Sequence, residues 1–216
     1  MDTIRIPNVK YRNNIYQIEL QTEKSGPFTP DQAISFYSKT DFKLPSSDLV
    51  YAILRSAVES KDNELIYSLR RFLHEKGLLT STRLIIPTEG LDTIIHDYKM
   101  PNELKVHGDF VGPDIYTKES LDPRVKEEFY NAENPLDETE LTKFFSALLG
   151  TNNLKEILNV FKRINNTSVL RTNRKPKQLE EKIVTINGGI EDNRFNLWYG
   201  PDHYYCTFGV RMDKLK

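Results

Sequence analysis

Apolar and polar positions alternate weakly over residues 1–24, where Ile4 and Ile6, then Ile15, Ile18 and Leu20, sit among polar side chains. A period of two predicts half-buried strands. Arg12-Asn13-Asn14 supplies the turn between them, because Asn tolerates turn geometry. Ser25-Gly26-Pro27 is expected to break this pattern. Thr29 then precedes Pro30, with Gln32 three positions on. This is a capping box with Pro at the first helical position, and it predicts a short helix from Pro30 to about Ser38.

The period changes after residue 45. Leu49, Val50, Ile53, Leu54, Ala57 and Val58 recur at spacings of three and four, which is one helical stripe, with Ser46 or Ser47 available as its cap. Lys61-Asp62-Asn63 interrupts, and a second helix from Asn63 or Glu64 carries Leu65, Ile66, Leu69, Phe72 and Leu73, stopping at Gly77. Residues 82–87 and 91–98 read as strands with a turn at Thr88-Glu89-Gly90. The stretch 99–135, with Pro101, Pro113, Pro123 and Pro135, reads as an extended connection holding one helix near Arg124–Tyr130. Two helices follow, one with Leu141, Phe144, Phe145, Leu148 and Leu149 ending at Gly150, the other with Leu154, Ile157, Leu158, Phe161 and Ile164. The C-terminus reads as strands over 182–186, 194–199 and 204–212.

These elements place the chain in the α+β class, with central amphipathic helices and short antiparallel strands near both ends. Two regions are expected: residues 1–111, a helix–hairpin region, and 112–216, a helical segment followed by strands. A single interleaved domain is the alternative organisation.

Composition narrows the class. Leu, Ile, Val and Phe make up 61 of 216 residues, and the formal charge is −1, so disorder through poor hydrophobicity or self-repulsion is excluded. No 18-residue apolar stretch exists, so no membrane span is expected. The first residues lack a basic region followed by an apolar run, so a cytoplasmic location is expected. One Cys excludes an intrachain disulfide and a Cys-rich zinc site. Four scattered His residues form no paired metal motif, so no metal and no cofactor is expected. Cys206, with Tyr204 and Phe208 on one face of a strand, reads as an inert core thiol.

Charge is unevenly spread. Residues 99–154 carry six basic and eleven acidic groups, net −5, whereas 155–182 carry eight and three, net +5. Within the basic segment Arg171, Arg174, Lys175 and Lys177 cluster in an expected loop. Such residues beside Asn and Thr suit phosphate and sugar contacts, and the C-terminal aromatics Phe195, Trp198, Tyr199, Tyr204, Tyr205 and Phe208 could offer faces to bases. The competing expectation is that the acidic segment neutralises the cluster and the aromatics are core.

Residues 46–98 follow the order of a winged helix-turn-helix: helix, short turn, helix, then two strands. Arg70 and Arg71 would sit on its recognition helix. This segment carries six basic and eight acidic groups, net −2, which disfavours duplex binding. His107-Gly108-Asp109 resembles the catalytic loop of aminoglycoside-type phosphotransferases, which implies Asp109 as the group accepting the substrate proton. Asp114 stands where that family uses a magnesium-binding Asn, and no Gly-rich loop precedes it. The leading expectation is a non-enzymatic binding protein that contacts nucleic-acid phosphates through the basic loop, and a protein-interaction module without a nucleic-acid role is one alternative. An enzyme with a site around His107, Asp109 and Asp114 is the other.

Overall fold

The alternating N-terminal positions form an antiparallel hairpin in the computed structural model, which describes residues 3–75, 78–86, 93–96, 110–111, 129–131, 146–165, 169–171, 180–188, 195–196 and 205–215. β1 (Thr3–Tyr11) pairs with β2 (Asn14–Gln21), and the turn holds Arg12 and Asn13 at φ of 43° and 63°. Two successive positive φ values match the twist of a tight hairpin, as the Asn-rich turn leads one to expect. β3 (Ser25–Phe28) contains a cis Gly26–Pro27 peptide. The break expected at Ser25-Gly26-Pro27 is thus a strand. Among the described residues β3 pairs with β11 alone, and a proline without an N–H is accommodated on the side away from it.

α1 (Pro30–Tyr37) starts on the expected capping box: Gln32 N donates to Thr29 Oγ1, and Thr29 N donates to Gln32 Oε1. α2 (Ser47–Ser60) follows Ser46, whose hydroxyl does not cap the helix but turns to Asp48. Asp48 itself takes the Leu49 N–H at 2.9 Å, so the carboxylate does the work expected of a serine. α3 (Asn63–Glu75) completes the middle of the chain; Asp62 Oδ1 receives the N–H groups of Glu64 and Leu65.

β4 (Leu78–Ile86) begins four residues earlier than its β-branched run suggests, because Leu78 and Leu79 pair with Ile186 and Thr185. β5 (Thr93–Ile95), β6 (Phe110–Val111) and β7 (Phe129–Asn131) follow. The helix expected near Arg124–Tyr130 is corrected at its end, where Phe129 and Tyr130 are strand. Aromatic residues favour strands, and these pair with β8. Residues 146–149 are helical up to Gly150, which has φ +71°. α4 (Leu154–Asn165), β8 (Val169–Arg171), β9 (Glu180–Gly188), β10 (Phe195–Asn196), β11 (Tyr205–Thr207) and β12 (Val210–Lys214) complete the described chain.

Helices and antiparallel strands together make this an α+β protein. Among the described residues three sheets form: β1-β2-β12, β11-β3, and seven strands in the order β6-β5-β4-β9-β10-β8-β7, in which β8 and β10 run parallel. The C-terminal strand expected over 204–212 is divided at Gly209. Gln21 holds that division, donating its N–H to Gly209 O and accepting the Gly209 N–H on Oε1. A Cβ at 209 would lie 2.5 Å from Phe42 Cβ, so only glycine lets these chains approach.

The main core lies between these sheets and α2, α3 and α4. Ile6, Ile18 and Val210 meet it from the three-stranded sheet, Val184 and Ile186 from β9, and Leu49, Ile53, Leu69 and Phe161 from the helices. The opposite face of β9 contributes Ile183, which packs with Leu79 beneath Ala33 and Tyr37 of α1. α2 is therefore covered nearly all round. It also guards the outer edge of β1: Ser56 and Arg55 donate to the carbonyls of Pro7 and Lys10, next to a bulge between Ile6 and Val9.

Tyr51 of α2 stands edge-on to Phe161 and donates its hydroxyl to Glu156 Oε1 at 3.1 Å. Burial, then the neighbouring Glu156 carboxylate, push the phenol well above the usual tyrosine value. Burial raises Tyr37 as well. Both phenols keep their protons in the folded chain where the unfolded chain loses them. Their contribution is complete below the unfolded value of about 10 and is lost as pH climbs above it. Stability is expected to fall above that pH, and less steeply in Tyr51→Phe. Urea midpoints measured between pH 9 and 11 check this; parallel curves for the two proteins would refute it.

Candidate functional site

Two polar constellations stand out among the described residues. The first is buried at the N-terminus of α2. Asp48 Oδ2 accepts from Arg12 Nε at 3.2 Å and Nη2 at 3.1 Å. Its Oδ1 accepts from Leu49 N, from the Ser46 hydroxyl, and from Tyr11 OH at 3.4 Å. The partial positive charge of the helix start favours the carboxylate further. His96, 3% exposed, places Nδ1 3.7 Å from Asp48 Oδ1.

A Ser, a His and an Asp so close invite comparison with a nucleophilic triad, but the hydrogen bonds run elsewhere. His96 Nε2 lies 2.8 Å from Ala147 O, and a carbonyl only accepts, so Nε2 carries the hydrogen. Nδ1 shares a hydrogen bond with Thr82 Oγ1 at 3.0 Å. Thr82 receives the Ser47 N–H at 2.9 Å, and the Ser47 hydroxyl goes to Leu148 O at 2.6 Å. A triad needs Nε2 to take a proton from the serine; here that nitrogen is a donor to the backbone. Ser46, Ser47 and Thr82 have no exposed surface. The constellation ties the β1–β2 turn, α2, β4, β5 and residues 147–148 into one junction.

The second constellation lies where α4 ends against α3. Arg70 Nε donates to Ile164 O at 2.7 Å and Nη2 to Arg163 O at 3.2 Å, so its guanidinium closes the C-terminus of α4. From α4, Arg163 Nη2 reaches Asn63 Oδ1 at 3.4 Å. Arg71 and Tyr67 are exposed on the outer face of α3.

No protein-family model, no curated protein and no solved structure matches this chain.

The residues singled out from the sequence divide as follows. Arg70 and Arg71 share α3, with Arg70 turned to α4 and Arg71 outward. Arg171 closes β8 opposite Phe129, in a strand where a loop was expected, since Val169 and Leu170 before it suit pairing with β7. Arg174, Lys175, Lys177, His107, Asp109 and Asp114 lie outside the described residues, as do the helix over 141–145 and the turn at 88–90. Cys206 is half-buried beside the fully buried Thr207 and Phe208, and Phe208 packs on Phe72 as core rather than as a base platform. No group of His, Cys, Asp and Glu among the described residues is arranged to hold a metal ion. No described helix is long and apolar enough to cross a membrane.

The buried junction is what sequence reading missed. Asp48 carried a signal, as an acid in the first turn of a strongly periodic helix. Arg12 and His96, 36 and 48 positions away, carried none, because only the fold brings them there.

Proposed function

We propose that the chain is a non-enzymatic, cytoplasmic binding protein that contacts nucleic-acid phosphates through the basic segment starting at Arg171. The observation that carries this reading is the seam of α3 and α4. Arg163 is exposed there, and six residues beyond the end of α4 the chain reaches Arg171 and then Arg174, Lys175 and Lys177. Charge favours it too, since residues 155–182 hold eight basic against three acidic groups. The helix α3 followed by the antiparallel pair β4–β5 fits a winged-helix-like arrangement with α3 outward, although β4 also pairs with β9. The satisfied Asp48–His96 junction supports a binding role over a hydrolytic one. A protein partner is the second reading, favoured by the exposed Ile15 and Leu215 at adjoining strand ends.

Fluorescence anisotropy with labelled RNA and DNA oligonucleotides across a salt series tests the proposal. Affinity should fall linearly with salt on logarithmic axes, by a slope of about 0.7–0.9 per phosphate neutralised. Arg174→Glu with Lys175→Glu should weaken binding of all sequences alike and reduce the slope by about two phosphates. No binding at low salt, or a slope near zero, overturns it.

A further inference from the structure

We propose that His96 is a buried proton-binding site that governs how firmly the β1–β2 turn is held against α2, through the carboxylate of Asp48. Asp48 is shared from two sides. Oδ2 accepts from Arg12 Nε and Nη2 at 3.2 and 3.1 Å, and Oδ1 faces His96 Nδ1 at 3.7 Å. Two cationic side chains therefore meet one carboxylate whenever the imidazole carries a second proton. Among the described residues no other acidic or basic side chain hydrogen-bonds or ion-pairs with His96. Tyr11 and Arg12 come from β1 and its turn, and both bond Asp48. β4 presents Thr82, and Ala147 presents a carbonyl. Arg83, next along β4, turns to Asp31 of α1 instead.

The hydrogen bonds around the ring have a complete arrangement for either charge. Nε2 donates to Ala147 O in both. Thr82 Oγ1 takes the Ser47 N–H on one lone pair and lies 3.0 Å from Nδ1. Ser47 Oγ lies 3.1 Å from the same oxygen and gives its own hydrogen to Leu148 O at 2.6 Å. For a neutral ring, the Thr82 hydroxyl donates to Nδ1. For a charged ring, Nδ1–H donates to Thr82, whose hydroxyl rotates to Ser47. The added proton leaves no buried donor without an acceptor, so the site can hold it. What changes is the charge. Ser46, Asp48 and His96 are buried, whereas Arg12 is one-third exposed on a two-residue turn and is the cation able to leave for water. Coupling is reciprocal: the factor by which docked Arg12 opposes protonation is the factor by which protonation loosens Arg12. Acidification thus frees the turn from α2, whatever the chain binds.

The test is an NMR titration of the full-length protein from about pH 8 to about pH 5, following His96 Cε1–H and the amides of Arg12, Asn13 and Asn14. The ring and the turn should change together, with one midpoint. Arg12→Gln should move the His96 midpoint up by about one pH unit, which equals an about tenfold weaker hold on Arg12 once the ring is protonated. Arg12→Lys retains the charge and should titrate near the parent. An unshifted His96 midpoint in Arg12→Gln overturns the inference. A turn that stays unchanged while the ring titrates does the same, as does a ring that takes up no proton across the range. Those last two outcomes are read in the parent protein and decide the matter even where a variant does not fold.

Discussion

Asp48→Ala is expected to destabilise the protein by about 3–5 kcal/mol, the range for removing one partner of a buried ion pair. The substitution withdraws the acceptor for Arg12, Tyr11, Ser46 and the Leu49 N–H at once. Arg12 is one-third exposed and can turn to water, which moves the value towards the lower end. Ser46 has no exposed surface and cannot. Asp48→Asn keeps the shape and one accepting oxygen, so it should lose less. Urea unfolding of both variants, with Arg12→Ala and the double variant to close a cycle, measures the coupling. An Asp48→Ala midpoint within error of the parent would show that the junction contributes nothing to the fold.

Phe161→Ala should have an effect of similar size by a different route. The ring is fully buried at the meeting of α4 with α2, edge-on to Tyr51 at 6.1 Å. Its loss removes apolar contact and leaves a void that the packed helices around it cannot close, a change of about 3–5 kcal/mol. Phe161→Leu should recover more than half of that by filling most of the volume. A void should be read by the midpoint with an unchanged dependence on denaturant. A loss below about 1 kcal/mol would mean that α4 is not part of the core.

These two residues also show what was legible. Phe161 falls on a helical stripe because periodicity is local, and the same reasoning locates α2 and α3, while a capping box locates α1 and turn chemistry the Asn-containing hairpin turn. Asp48 was not singled out, because its importance comes from Arg12 and His96, which no spacing rule connects to it. Boundaries failed where pairing with a distant strand outweighed local preference. β3 forms through Pro27 because β11 is beside it, β4 starts at Leu78 because β9 runs along it, and the strand after Tyr204 divides because Gln21 claims Gly209. The basic cluster was visible as charge alone; Arg70, counted with it, proved to be directed at the end of α4.

Leu20 pairs with Val210, 190 positions later in the chain. At a synthesis rate of about 5–20 residues per second, the first hairpin waits on the order of 10–40 s for its outer neighbour. Throughout that interval Ile18 and Leu20 belong to a ribbon with one open side, a state that invites mispairing between nascent chains. Closure of this sheet thus waits on a strand 190 positions away, and removal of β12 should leave a species dependent on chaperones.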